Sequence, residues 1–264
     1  MPFIKTPLRP VPERLFHYTS ERAAESILKG GRNNKEICFW AKNATCKNDK
    51  SELELGKLIY EHVHRHLQNE GRHSLLDEVK INPDLVFMNS FTDSAFVNSH
   101  MLDIYGCIRL EFDFRGLFDS LSLRECDYIL DEDIPELSGS YCEDFDEYLG
   151  GLSKGRADFL SLIQYLHTEM GVILSIPFLK HLKQWGVESE WRHVLYRQPI
   201  DSRIFSLYDG QPKMKVFYPS CSLVGITCFV SDANKSSILS YYTKYKYLVD
   251  RNKWDAKVER TEVN

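Results

Sequence analysis

The sequence predicts an α+β chain with a split antiparallel β-sheet and flanking helices. Short segments with the alternation or apolar density of strands cluster towards both ends of the chain, while segments of helical period stand between and after them. Neither an internal repeat nor a low-complexity stretch interrupts this order. The 264 residues fit one large domain or two small ones. The reading adopted is an extended arm over 1–13, a single domain over 14–250 and a tail over 251–264.

The arm carries Pro2, Pro7, Pro10 and Pro12, which fix φ, remove donors and keep it extended. The first strand, Leu15-Phe16-His17-Tyr18-Thr19, puts Phe16 and Tyr18 on one face and His17 and Thr19 on the other. Ser20 leads into a helix over Glu21–Lys29 that Gly30-Gly31 closes. Residues 36–42 read as a second strand and 43–49 as a polar loop with turn residues. Leu53, Leu55, Leu58, Ile59, Val63 and Leu67 make an apolar stripe of helical period over 51–69.

Residues 85–92 read as a strand and 93–104 as a loop towards Tyr105-Gly106. A strand follows over 107–112, with 123–130 as its expected hairpin partner. The acidic stretch 131–146 reads as a loop, a candidate lid or insertion. An amphipathic helix is expected over 154–170, continuing towards Trp185 with a break at Pro177. Strands follow over Glu190–Tyr196, 203–207, 215–218 and Leu223–Val230. The last helix runs over 232–242, with Asp232 as its cap.

Composition narrows the function classes. With 43% hydrophobic, 12% aromatic and 27% charged residues the chain is globular rather than disordered. A net charge of −5 argues against binding nucleic acid by bulk electrostatics and leaves room only for a local basic patch. No apolar run approaches the length of a membrane span or a signal peptide. Seven widely spaced cysteines without a C-x-x-C pair suit a reducing compartment, so a cytoplasmic protein without membrane contact is expected.

Two stretches carry candidate chemistry. His17 and Thr19, at a strand-to-helix corner, can grip a polar ligand; by themselves these residues favour the plainer reading of a satisfied surface histidine. Glu188 and Glu190, two apart at the mouth of a strand and followed by Arg192, point to one side of an extended chain. Like charges so close need a cation or a hydroxyl between them, which suits holding a sugar; a solvated strand start is the plain alternative. His62 and His66 lie one helical turn apart, but no third ligand stands at a matching spacing, so no metal is assigned.

Taken together, the motifs resemble a known set. Phe16-His17-Tyr18-Thr19 precedes Glu25-Ser26-Ile27-Leu28-Lys29-Gly30-Gly31. Asn48-Asp49 heads a helix, then come Ser90-Phe91-Thr92, Tyr105-Gly106 and Trp185-x-x-Glu188-x-Glu190-Trp191-Arg192. This order is similar to that of the bacterial family called domain of unknown function 2971, over most of residues 14–230. Lys50 stands where that family prefers proline, Thr92 where it has serine, and Met101-Leu102 where a Met-Trp pair is common, so one wall of the family's pocket is altered.

That family is in turn similar to ADP-ribosyltransferases. The resemblance implies an ADP-ribosyltransferase-like split sheet that binds NAD. His17 would bond the adenosine ribose, supported by Thr19, and Tyr18 or Tyr105 would pack the nicotinamide ring. Glu190, assisted by Glu188, would hold the nicotinamide ribose and stabilise an oxocarbenium-like state. Arg192 would bind the pyrophosphate or orient Glu190. Ser90 and Thr92 would touch a ribose or phosphate, and Asn48 and Asp49 would line the pocket or meet the acceptor.

The resemblance further implies a macromolecular acceptor (protein, tRNA or DNA), a setting as a toxin or antiphage effector, and a regulatory or antitoxin partner. Two competing classes remain: a non-catalytic nucleotide- or partner-binding module, and a nuclease using Glu188, Glu190, Asp49 and a divalent ion.

Overall fold

The computed structural model describes residues 9–44, 54–69, 86–94, 99–118, 123–139, 142–143, 178–181, 188–196, 204–206 and 212–263. In chain order the described strands and helices are β1 (Leu15–Thr19), α1 (Glu21–Lys29), β2 (Glu36–Asn43), α2 (Glu54–Asn69), β3 (Val86–Thr92), α3 (Ser99–Tyr105), β4 (Ile108–Phe112), β5 (Leu123–Glu125), β6 (Asp127–Ile129), β7 (Leu179–His181), β8 (Glu190–Tyr196), β9 (Ile204–Ser206), β10 (Pro212–Pro219), β11 (Leu223–Val230), α4 (Lys235–Asn252) and β12 (Lys257–Glu262). The chain is mixed α and β, as expected, and it divides into two compact units.

One unit comprises residues 9–43, 87–125 and 188–264. It holds a ten-stranded sheet running β12-β11-β4-β1-β3-β2-β10-β9, with β8 on β3 and β5 on β8. β1 with β3 and β4, β2 with β3 and β10, β9 with β10, β4 with β11 and β5 with β8 all pair antiparallel, whereas β11 and β12 run parallel. β3 has three partners: β1 at Thr92, β2 at Met88 and Phe87, and β8. A strand has two edges, so two of these partners divide one edge between them and the sheet parts along β3.

Alternation gives this sheet two unlike faces. Leu15, Phe39, Phe87, Phe91, Leu110, Phe112, Trp191, Tyr218 and Ile226 share one core with Ile27 and Leu28 of α1 and Ile238 and Tyr245 of α4, which defines a helix-bearing face. Phe16, Tyr18 and Phe229 form a separate cluster with Met101 and Leu102 of α3 on the reverse face. Fully burying each large side chain of the main core contributes roughly 1.5–3 kcal/mol, so this face carries most of the fold's stability.

Local chemistry fixes the corner after β1. The Ser20 hydroxyl accepts from the Ala23 N–H, Glu21 sits in the first turn of α1 and Lys29 in the last, and Ala24, Ile27 and Leu28 face the core. Gly106 stands against this corner with φ +115°, where a Cβ would come within 2.7 Å of the Thr19 carbonyl oxygen. The Tyr105-Gly106 motif therefore includes a glycine that the first strand requires.

Several expectations are corrected. β4 has no hairpin with 123–130: its edges are taken by β1 and β11, and β5 pairs with β8 instead. Residues 99–105, read as loop, form α3. Within 131–146, residues 131–139 are helical turns rather than loop. The last helix starts after Asn234, not Asp232, and continues to Asn252 until Lys253 turns left-handed with φ +55°. The 251–264 tail contains β12, which lies parallel to β11.

The other unit comprises residues 1–8, 44–86 and 126–187. Its described part includes α2 packed on β7, which pairs in parallel with β6. The helix expected over 154–170 lies outside the described residues. No helix among the described residues is long and apolar enough to cross a membrane.

Candidate functional site

The first-strand motif divides between the two faces, as its alternation predicts. β1 and β3 pair at Phe16 and Thr92; two residues further, that register would set Tyr18 against Ser90. There the backbones part, and the Nδ1 of His17 meets the Ser90 carbonyl oxygen at 2.9 Å. A carbonyl only accepts, so His17 donates through Nδ1–H. Its ring lies edge-on to Phe39 at 5.0 Å and tilted against Phe91 at 5.8 Å, on the helix-bearing face. His17 thus bridges the parting of two strands.

Tyr18 points the other way. Its ring stacks on Phe229 at 6.2 Å, and its hydroxyl is buried with no hydrogen-bond partner among the described residues. Arg109, its cross-strand neighbour, lies over Phe16 at 4.7 Å and within 5.5 Å of the Phe229 ring. Thr19 is buried at the corner. Cys107, beside this cluster, has its thiol pushed up to about 11, chiefly by burial.

The carboxylates lie along the same reverse face. Trp191 and His193 belong to the helix-bearing side, where His193 packs on Phe118 and Tyr218, so Glu190 and Arg192 alternate to the reverse. Arg192 is 0% exposed and grips Glu190 by two hydrogen bonds, Nε to Oε1 and Nη2 to Oε2, both 3.0 Å. Across the β5–β8 pair Arg192 faces Arg124, also buried, a second guanidinium that sequence reasoning missed.

Ser189 has φ +45°, a left-handed conformation that breaks the extended chain between the two glutamates. Glu188 is therefore not a strand residue; its Oε1 instead accepts from the Tyr105 hydroxyl at 2.8 Å. Tyr105, at the end of α3, is 37% exposed and Glu188 is buried beneath it.

The expected confrontation of His17 with Glu190 across one cleft is thus corrected: imidazole and carboxylate occupy opposite faces. Alternation sets Tyr18, Thr92, Ser90, Glu190 and Arg192 on the reverse face, where Tyr18 packs on Phe229, Glu190 is bonded to Arg192 and Glu188 to Tyr105. Thr92 uses its hydroxyl to accept from the Ser94 N–H, closing the turn after β3, while Ser90 offers its carbonyl to His17. Arg192 turns its fork onto Glu190. Asn48 and Asp49 lie outside the described residues.

On the helix-bearing face a buried polar relay also went unread. Asn89 donates through Nδ2 to the Tyr218 hydroxyl at 2.8 Å, which leaves the phenolic proton for Nδ1 of His193 at 2.7 Å. Burial raises the Tyr218 pKa, so the phenol stays protonated. The spacing of these residues (89, 193, 218) gives no local signal; only the alternation of polar residues inside apolar strands hints at them. Among the described residues no group of three His, Cys, Asp or Glu side chains is gathered for a metal, and His62 and His66 lie on α2 of the other unit.

The chain matches no family model, no curated protein and no solved structure.

Proposed function

We propose that the chain is a divergent ADP-ribosyltransferase that uses NAD to modify a macromolecular acceptor from the reverse face of its sheet. The observation that carries this reading is the pair of glutamates at the head of β8, each oriented by a different neighbour: Glu190 by Arg192 and Glu188 by Tyr105. The two bonds from Arg192 engage both carboxylate oxygens of Glu190 and fix its orientation. NAD would supply an activated bond between C1′ of the ribose and the nicotinamide nitrogen; its electron pair would leave on nicotinamide while a nucleophile of the acceptor bonds to C1′ and gives up its proton to water.

Fixed negative charge beside that ribose favours the developing cation. The orphaned Tyr18 hydroxyl on the same face supplies one polar contact without a partner of its own, which fits a ligand there. His17 is a positioning residue that holds β1 to β3. The finer assignment to an ADP-ribosyltransferase-like fold, the membership in the domain of unknown function 2971 family and the toxin or antiphage setting, with a regulatory or antitoxin partner, belong to the same proposal.

A non-catalytic nucleotide-binding module is favoured by one observation, the near-complete burial of Glu190 with Arg192. Chromatography of purified protein incubated with NAD separates the two. Nicotinamide release that falls about 100-fold or more in Glu188→Gln, which keeps the bond from Tyr105, supports the transferase. A raised melting temperature with NAD and no release supports the module. Neither effect removes both.

A further inference from the structure

We propose that the β2–β10 part of the reverse face binds single-stranded nucleic acid. On β2 this face carries Trp40 and Lys42 beyond a buried Cys38; on β10, Lys213 stands against Lys42, Lys215 against Trp40 and Phe217 against Cys38. The Lys215 Nζ lies 5.0 Å from the Trp40 ring centroid, and the Arg32 guanidinium 4.2 Å from that of Phe217. Arg32 and Lys42 are exposed, while Trp40, Lys213, Lys215 and Phe217 are half-buried.

Three lysines cluster beside an indole on two paired strands, with Phe217 and Arg32 beyond them, in a chain whose net charge is −5. Among the described residues of β2 and β10, Glu36, opposite Pro219, is the one acid on this face, at its far end. Same-face residues recur at roughly 7 Å along a strand and about 5 Å across the pair, spacings that an extended polynucleotide can follow. Every base has a flat π-face that can take the place of Lys215 over Trp40 or of Arg32 over Phe217, and the displaced cations turn to the phosphates. An acidic peptide would use the cations and leave the rings idle, and a duplex hides its base faces, so single strands are the fitting ligand.

The surface also leads towards the glutamates. Lys42 pairs with Met88 on β3, Ser90 and Thr92 follow on the same face, and the Asp93 N–H reaches the Ser189 carbonyl oxygen at 3.4 Å. Strand geometry puts Lys42 roughly 15–20 Å from the head of β8. That this nucleic acid is the acceptor rests on the transferase reading; that it binds does not.

The test is fluorescence anisotropy with a labelled single-stranded oligonucleotide of about a dozen bases, titrated at several salt concentrations. The expected result is saturable binding whose log–log salt slope is about −2 to −3, weakened about tenfold by the Lys213→Gln/Lys215→Gln pair with a shallower slope. Trp40→Leu weakens binding about 5- to 100-fold with the slope unchanged. Arg32→Gln, in a surface turn, serves as a second variant should Trp40→Leu unfold the chain.

Absence of binding at low salt overturns the proposal. So does equal competition by polyglutamate or by a duplex of the same sequence. Oligonucleotide binding without nicotinamide release removes the transferase alone, whereas release with no oligonucleotide binding removes this inference alone.

Discussion

The Nδ1–H of His17 donates to the Ser90 carbonyl at 2.9 Å, two residues beyond the last backbone pairing of β1 with β3. A side chain thus takes an acceptor that a continuous ladder would have used. His17→Phe fits among Phe39 and Phe91 but has no donor, so it is expected to lower stability by about 1 kcal/mol. His17→Gln, which can donate, is expected to recover part of that loss. Urea denaturation of the three proteins checks this; equal midpoints would show that the bond contributes nothing.

The Glu190–Arg192 pair predicts strong non-additivity. Glu190→Gln leaves a buried guanidinium without its counter-charge and is expected to lower stability by about 3–5 kcal/mol. Replacing both by apolar residues, Glu190→Leu with Arg192→Met, is expected to lose less than the sum of the two single changes. A thermodynamic double-mutant cycle measures the difference, and strict additivity would contradict the coupling.

Removing the buried, unpartnered hydroxyl of Tyr18 is expected to help the fold. Tyr18→Phe should raise stability by about 1 kcal/mol, because the tyrosine leaves a desolvated polar group unsatisfied. The same change should diminish any NAD-induced rise in melting temperature. A loss of stability in Tyr18→Phe would mean that the hydroxyl has a partner in solution.

Asp113 supplies a pH dependence. Two hydrogen bonds from Arg115, at 2.7 and 3.0 Å, hold its pKa down to about 2. A carboxyl depressed on folding adds stability above its ordinary range and loses it as pH falls towards the folded value. The Asp113 side chain is 27% exposed, so screening keeps the contribution below about 1 kcal/mol. The stability gap between wild type and Asp113→Asn is expected at pH 7 and should shrink as pH falls from about 4 to about 2. Urea midpoints across that range check it; a gap independent of pH would show that the carboxylate charge is not responsible.

Local signals were legible in the sequence, and distant pairings were not. Ser20, Gly30 and the alternation of Phe16, His17, Tyr18 and Thr19 set β1 and α1 without help from the rest of the chain. The partners of β4 were hidden because β11 lies more than a hundred residues later, and β12 resembled a tail because its alternation is mostly charged. Glu188 and Glu190 were readable as a pair, but nothing about serine announces a left-handed turn at Ser189, and that turn sends Glu188 to Tyr105. The face of Glu190 followed from Trp191 entering the core, a tertiary fact that overrode the order of motifs along the chain.

The central claim is that chemistry belongs to the reverse face of the sheet and that His17 only holds β1 to β3. Transfer of labelled ADP-ribose from NAD to cellular macromolecules, measured for wild type, His17→Phe and Glu188→Gln, tests it most directly. The account predicts that His17→Phe keeps transfer within a few-fold of wild type while Glu188→Gln loses it about 100-fold or more. Loss in His17→Phe with retention in Glu188→Gln, at equal folded fractions, would contradict it.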